Sequence, residues 1–300
     1  MTTVVWQRTT RALDRQPADT PETDDAANAR LVGAGGGVFF WTLRLLPAPR
    51  RRAMLALYGF WHALDSIAGD PQAAARRDQL LAEWRYQIAQ LFDGRPQLPV
   101  TRALAGAVRY CGLRRNDFMA AIDGKTLDAA TDIRAPSLVE LDVHCAQVAG
   151  AIGLLAVRIL GIDSTTGDRA ATELGRGLRL TGILNELAAD AARGRLYLPR
   201  DLLRCHGIFA TDPAIVLRNP ALPQVCEVVA RRAERHFADA AALMATLPRR
   251  NLRATAIMLA CYRALLRKLV TRGWRDLDRP VRVAAWRQAA LALRHGLLGS

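Results

Sequence analysis

The sequence predicts an all-α protein, and three observations carry that prediction. Apolar residues recur at helical spacing along most of the chain, as in Leu178, Leu180, Ile183, Leu184 and Leu187. Strand signals are nearly absent, since no run of β-branched residues alternates over several positions. Turn signals stand between the helical stretches. Long helices joined by short loops predict one bundle-like domain around a central cavity. With 51% hydrophobic and 23% charged residues, the 300-residue chain reads as globular with a substantial core.

The elements follow in order. Residues 1–34 read as a disordered tail: Pro17–Asn28 is acidic and contains proline and threonine, and residues 1–30 hold no apolar signal core. Gly33–Gly37 (GAGGG) reads as a loop, because it lacks the preceding strand of a dinucleotide site. The domain then occupies 35–300. Helices are expected over Arg50–Ile67; over Pro71–Phe92, opened by proline and closed by Asp93-Gly94; and over Val100–Tyr110 and Arg115–Asp123. Ser137–Leu160 follows, with Ser137 as N-cap and Gly161 as stop. Thr166–Ala192, Pro213–Leu217, Leu222–Leu247, Leu252–Arg272 and Pro280–Leu298 complete the set. No apolar run approaches the ~20 residues of a membrane span.

The net charge of +14 invites a nucleic-acid reading. Against it, all but two of the 42 basic residues are arginine, Lys125 and Lys268 being the exceptions. The arginines are dispersed along helices and no nucleic-acid motif accompanies them, so nucleic acid is not an expected partner. A basic surface still favours anionic substrates and lipid headgroups. Five scattered cysteines (Cys111, Cys145, Cys205, Cys226, Cys261) form no C-x-x-C and no disulfide framework, which fits free thiols in a reducing cytosol.

Residues 176–199, RGLRLTGILNELAADAARGRLYLP, hold the densest chemical signal. Glu186 and Asp190 are four apart, so a helix stacks them on one face. Like charges at that spacing repel, and a cation between them turns the repulsion into a site. Mg²⁺ suits the pair, because it takes carboxylate oxygens, keeps waters and bridges to phosphates. Arg193 and Arg195 then offer planar donors to a diphosphate. A solvated helix face would carry the same carboxylate spacing.

The stretch from Leu180 to Pro199 resembles the second aspartate-rich motif of the squalene/phytoene synthases, the head-to-head trans-prenyl diphosphate synthases. FFWTLRLLPAPRRRAMLALYGF (39–60) resembles the family's first block. IDGKTLD (122–128) and HCAQVAGAIG (144–153) resemble the central blocks, and RRAERHFADA (231–240) and CYRALLRKLVTRGW (261–274) the C-terminal helices. The resemblance covers roughly residues 35–290. RGRLYLPRDLL and the ALRHGL tail are most similar to the bacterial branch that makes presqualene diphosphate for hopanoids.

The resemblance implies an isoprenoid-synthase-type helical bundle with two facing carboxylate clusters. It implies Mg²⁺-dependent condensation of two farnesyl diphosphates, head to head, to presqualene diphosphate. Asp65, Glu186 and Asp190 take the catalytic positions, and Asp65, Asp70, Glu186 and Asp190 the metal positions. Arg44, Tyr58, His62, His144, Arg193, Arg195 and Tyr197 take substrate-binding positions. Several positions depart from the family pattern. Ser66 and Gly69 stand where the first motif has its second and third Asp. Asp70 lies about 140° off the face of Asp65 in a continuous helix. His62 replaces a common Arg, His144 a common Tyr, and Glu186 a common Asp. Two other readings therefore stay open. One is a catalytically degenerate paralogue that binds prenyl diphosphates or serves as a partner or assembly protein; the other is a phytoene synthase using geranylgeranyl diphosphate. The expected location is cytoplasmic. The arginine-rich helix Val281–Leu298 fits either peripheral contact at the inner membrane face or ordinary packing, and association with other hopanoid-pathway enzymes is compatible with the resemblance.

Overall fold

A computed structural model describes residue 43 and residues 46–69, 76–130, 133–274 and 276–297. Twelve helices lie among these residues: α1 (Ala48–Gly69), α2 (Arg77–Phe92), α3 (Pro99–Cys111), α4 (Arg115–Ala130), α5 (Leu138–Ile159) and α6 (Thr165–Asn185), then α7 (Leu187–Ala192), α8 (Arg200–Cys205), α9 (Pro213–Leu217), α10 (Leu222–Met244), α11 (Arg249–Arg272) and α12 (Ala285–Leu297). No strand occurs among the described residues, and the all-α prediction holds. The expected tail 1–34, together with Arg44 and Asp70, lies outside the described residues.

Side-chain oxygens set several helix starts. Ser137 and Glu140 form a reciprocal capping box on α5: the Ser137 hydroxyl accepts from the Glu140 amide at 3.1 Å, and the Glu140 carboxylate accepts from the Ser137 amide at 2.6 Å. Ser164 caps α6 through the Gly167 amide at 3.1 Å. Gly273 ends α11 at φ 71°, a left-handed conformation that costs glycine little.

Two apolar cores fill the bundle. The first gathers α1, α2, α3, α4 and the C-terminal half of α5 around Leu57, Phe60, Leu64, Leu104, Phe118 and Leu155. Phe60 meets Trp84 and Phe118 edge-on, with ring centroids 5.4 and 5.3 Å apart. The second gathers the start of α5, most of α6, and α7 to α11 around Leu180, Leu184, Leu198, Val229 and Phe237. Helices α5 and α6 pack along each other and enter both cores. The buried Arg158 of α5 ties them further, reaching Asp117 of α4 at 3.0 Å and Asp168 of α6 at 3.3 Å.

Three expectations need correction. Thr166–Ala192 is not one straight helix: α6 ends at Asn185, and Glu186, at φ −110° and ψ 12°, joins it to α7. On either side of the bend Glu186 N donates to Gly182 O at 2.9 Å and Asp190 N to Glu186 O at 2.8 Å. Secondly, α5 is long and apolar enough to cross a membrane by length and composition. Its flanks instead pack against α4 and α6, and it carries Arg158, Asp142 and His144. Thirdly, Arg200–Cys205 forms a short helix that no sequence signal had marked.

A backbone tie fixes the segment after α7. Ala135 N donates to Leu196 O at 2.8 Å and Leu196 N to Ile133 O at 2.7 Å, forming an isolated parallel bridge just before α5. Arg200 N donates to Pro136 O at 2.9 Å, and Leu138 N to the Asp201 carboxylate at 2.8 Å.

Candidate active site

Side chains from α1, α4, α5, α6, α7 and α11 converge where the two cores meet. On α1, Tyr58, His62 and Asp65 are spaced by four and three residues and so share one face. Tyr58 stacks on His62, with centroids 6.0 Å apart and planes 12° apart, and lies 5.8 Å from Trp61. Asp65 receives a hydrogen bond from Lys125 Nζ of α4 at 2.7 Å. Lys125 is buried, with 8% of its side chain exposed, whereas 50% of Asp65's stays accessible. Protein around the Asp65 carboxyl resists its ionisation. The opposing charges of Lys125, Arg179 and His62, with the Lys125 hydrogen bond, outweigh that and hold it below the usual carboxylate range.

The second cluster hangs from the bend. Asp190 is 7% exposed, and its Oδ2 has no hydrogen-bond partner among the described residues. Its other oxygen, Oδ1, pairs with Arg193 at 3.6 Å. Burial pushes the Asp190 carboxyl up to about 6, aided by the negative charge of Glu186 and opposed by Arg179, Arg193 and Arg195. Glu186 also raises the Tyr262 hydroxyl of α11, after burial and ahead of Tyr58. Thus α1, α7 and α11 meet electrostatically at one place.

Arg179 of α6 joins the two clusters. It donates to His144 Nε2 from Nε at 3.4 Å, and its guanidinium lies 4.6 Å from the centre of the Tyr197 ring. His144 and Tyr197 are themselves 5.4 Å apart. The charge of Arg179 acts on both Asp65 and Asp190. Of the site residues expected from sequence, the structure brings together Tyr58, His62, Asp65, His144, Glu186, Asp190, Arg193, Arg195 and Tyr197; Arg44 and Asp70 lie outside the described residues.

Sequence reasoning missed Lys125, Arg179 and Tyr262. Two of them carried a signal. Arg179 stands 7 and 11 residues before Glu186 and Asp190, and both separations return to the same helix face within about 20°. Lys125 is one of two lysines in a chain that otherwise uses arginine for its cations.

The squalene/phytoene synthase profile matches residues 33–287. The chain belongs to the squalene/phytoene synthase family. It is 39% identical over 272 residues to the presqualene diphosphate synthase of Sinorhizobium fredii, which covers 91% of this chain and 97% of that protein. The enzyme of the same name from Rhodopseudomonas palustris is 40% identical over 263 residues, 88% of this chain and 94% of the other. A phytoene synthase of Thermus thermophilus is 28% identical, covering 90% of this chain and 91% of the other. Among solved structures, a dehydrosqualene synthase superposes with a TM-score of 0.79 at 21% identity, over 92% of this chain and 96% of the other, and shares the all-α fold.

Members of this family generally depend on Mg²⁺, and the two clusters differ in how well they suit it. Glu186 and Asp190 fit: hard carboxylate oxygens one turn apart, with the buried Asp190 Oδ2 lacking a partner among the described residues. The described part of the first cluster does not. Asp65 is already paired with an ammonium, the Ser66 hydroxyl donates to its own helix at His62 O (2.8 Å), and Gly69 offers no ligand. Among the described residues no group of three or more potential ligands forms a metal centre.

Proposed function

We infer that this chain is a prenyltransferase that joins two farnesyl diphosphates head to head to form presqualene diphosphate. The observation that carries the reading is that the charge of one guanidinium, Arg179 on α6, acts on both Asp65 of α1 and Asp190 of α7. Two aspartate arms facing one site are what a two-diphosphate reaction needs. The identity of about 40% to presqualene diphosphate synthases, against 28% to the Thermus phytoene synthase, favours farnesyl over geranylgeranyl diphosphate.

Glu186 and Asp190 are the residues that would hold Mg²⁺, which supplies electrophilic pull on a departing diphosphate. Arg193 and Arg195 bind that diphosphate beside them with charge-assisted donors. Tyr58 and Trp61 give the prenyl chains aromatic surface, whose ring faces favour a developing allylic cation. Arg179, held against Tyr197 and His144, adds positive charge between the arms. One diphosphate leaves, the second substrate's double bond attacks the allylic carbon, and ring closure to the cyclopropane releases one proton.

The pairing of Lys125 with Asp65 favours a second reading, in which the chain binds prenyl diphosphates without turning them over. Incubation with farnesyl diphosphate and Mg²⁺, with and without chelator, separates the two. Chelator-sensitive presqualene diphosphate by mass spectrometry supports the synthase. Absence of product from folded protein supports the binding role. The family setting and the chain's helix-only described fold fit work in the cytoplasm beside a membrane that receives the product.

A further inference from the structure

We propose that the Asp65 arm is a metal-free seat for a prenyl diphosphate, in which the Lys125 ammonium and the Arg179 guanidinium supply the positive charge that a divalent cation supplies at an aspartate-rich motif. The proposal rests on the reading that this site takes prenyl diphosphates, and concerns how one of its two arms does so.

Four observations carry it. Lys125 is buried yet bonded at 2.7 Å to a carboxylate that is itself half exposed, so the ion pair sits at the edge of the site rather than inside the core. Lysine is rarely buried without such a reason. The local charges differ from those of a metal-binding motif. At 66 and 69, where a metal-binding motif needs carboxylates, this chain has a hydroxyl and a glycine; at 125 and 179 it has two cations. The Ser66 hydroxyl is turned to His62 O, so it does not replace the lost ligand. Finally, the two arms diverge in the same molecule: among the described residues Asp190 keeps a buried oxygen without a hydrogen-bond partner, and Asp65 has a cation placed on it. A divalent ion at Asp65 would have to sit against the Lys125 ammonium, and like charges so close repel strongly in a protein interior. A diphosphate there meets favourable charge from both cations. Lysine is a well-suited phosphate binder as a compact point charge, and Arg179 presents a planar fork. The charge of Arg179, seated against His144 and Tyr197, reaches both arms, so it can hold the two diphosphates in register.

The test is calorimetric binding of farnesyl thiodiphosphate, an unreactive substrate analogue, to the full chain in Mg²⁺ and in excess EDTA. Two equivalents are expected with Mg²⁺ and one with EDTA. Lys125→Met is expected to weaken the EDTA-resistant binding at least tenfold and to leave the Mg²⁺-dependent equivalent in place; Lys125→Arg is expected to restore most of it. Mn²⁺ titration followed by electron paramagnetic resonance, with the analogue present, gives a second readout. One ion is expected in the wild type, and two in a Lys125→Met/Ser66→Asp/Gly69→Asp variant. Circular dichroism confirms that each variant is folded. Loss of all binding in EDTA, two Mn²⁺ ions in the wild type, or indifference to Lys125→Met overturns the metal-free seat while leaving the prenyltransferase reading intact. Absence of binding in both Mg²⁺ and EDTA overturns both.

Discussion

The two carboxylate arms of this site hold opposite chemistry. Among the described residues, the α7 arm has two carboxylates, one with a buried oxygen that has no hydrogen-bond partner, and a carboxyl raised to about 6. The described part of the α1 arm has one carboxylate, a buried lysine bonded to it and a carboxyl held low. The first is an electrostatic vacancy for a cation, and the second is already neutralised. Comparing them teaches that a binding arm is defined by the balance of charge around it rather than by the presence of an aspartate.

Substitution at the two aspartates should break the comparison most sharply. Asp190→Asn is expected to cut presqualene diphosphate formation roughly a thousandfold, since it removes a group that would grip a metal at the departing charge. Asp65→Asn is expected to cost only about tenfold, because Lys125 and Arg179 keep their charge. Steady-state rates on both variants check this, and equal losses would erase the distinction between the arms.

The next effect concerns stability. In the unfolded chain the Asp190 carboxyl ionises near pH 4, and in the fold near about 6. Below pH 4 both states hold the proton and the group costs nothing. As pH rises from 4 to 6 the unfolded state is increasingly favoured, and above 6 the ligand-free fold bears the whole penalty, on the order of 3 kcal/mol. Asp190→Asn is therefore expected to melt higher than the wild type at pH 7.5, by roughly 5 °C, with the gap closing by pH 4. Thermal melts at the two pH values measure it. A variant that gains stability as it loses activity would mark the α7 arm as strained in favour of a ligand.

Arg179→Gln should act on both arms at once. A loss of about thirtyfold in kcat/KM is expected, with weakened binding of both analogue equivalents, whereas a change confined to one arm would place the guanidinium on that arm alone. The smallest effect is at Glu186→Asp, which shortens the ligand by one methylene; a change within about threefold is expected, read from the Mg²⁺ concentration giving half-maximal rate.

Much of this was legible in the sequence, for identifiable reasons. Helical period, the Ser137 N-cap and the glycine stop at Gly161 are local, and local signals survive folding. The α7 arm was legible because Glu186, Asp190, Arg193 and Arg195 lie within ten residues of each other. The α1 arm was not, because its decisive partner comes from 60 positions away on another helix. Lys125 and Arg179 matter through contacts between helices, which no single-helix pattern contains. The bend at Glu186 was also missed; it turns on the dihedrals of one residue, φ −110° and ψ 12°, and leaves little compositional trace.

The bridge between Arg134 and Leu196 has a consequence for how the site opens. It welds the start of α5 to the strip that carries Tyr197, and Arg200 and Asp201 add two further rivets to the same seam. His144, Tyr197 and the α7 arm thus form one fixed jamb.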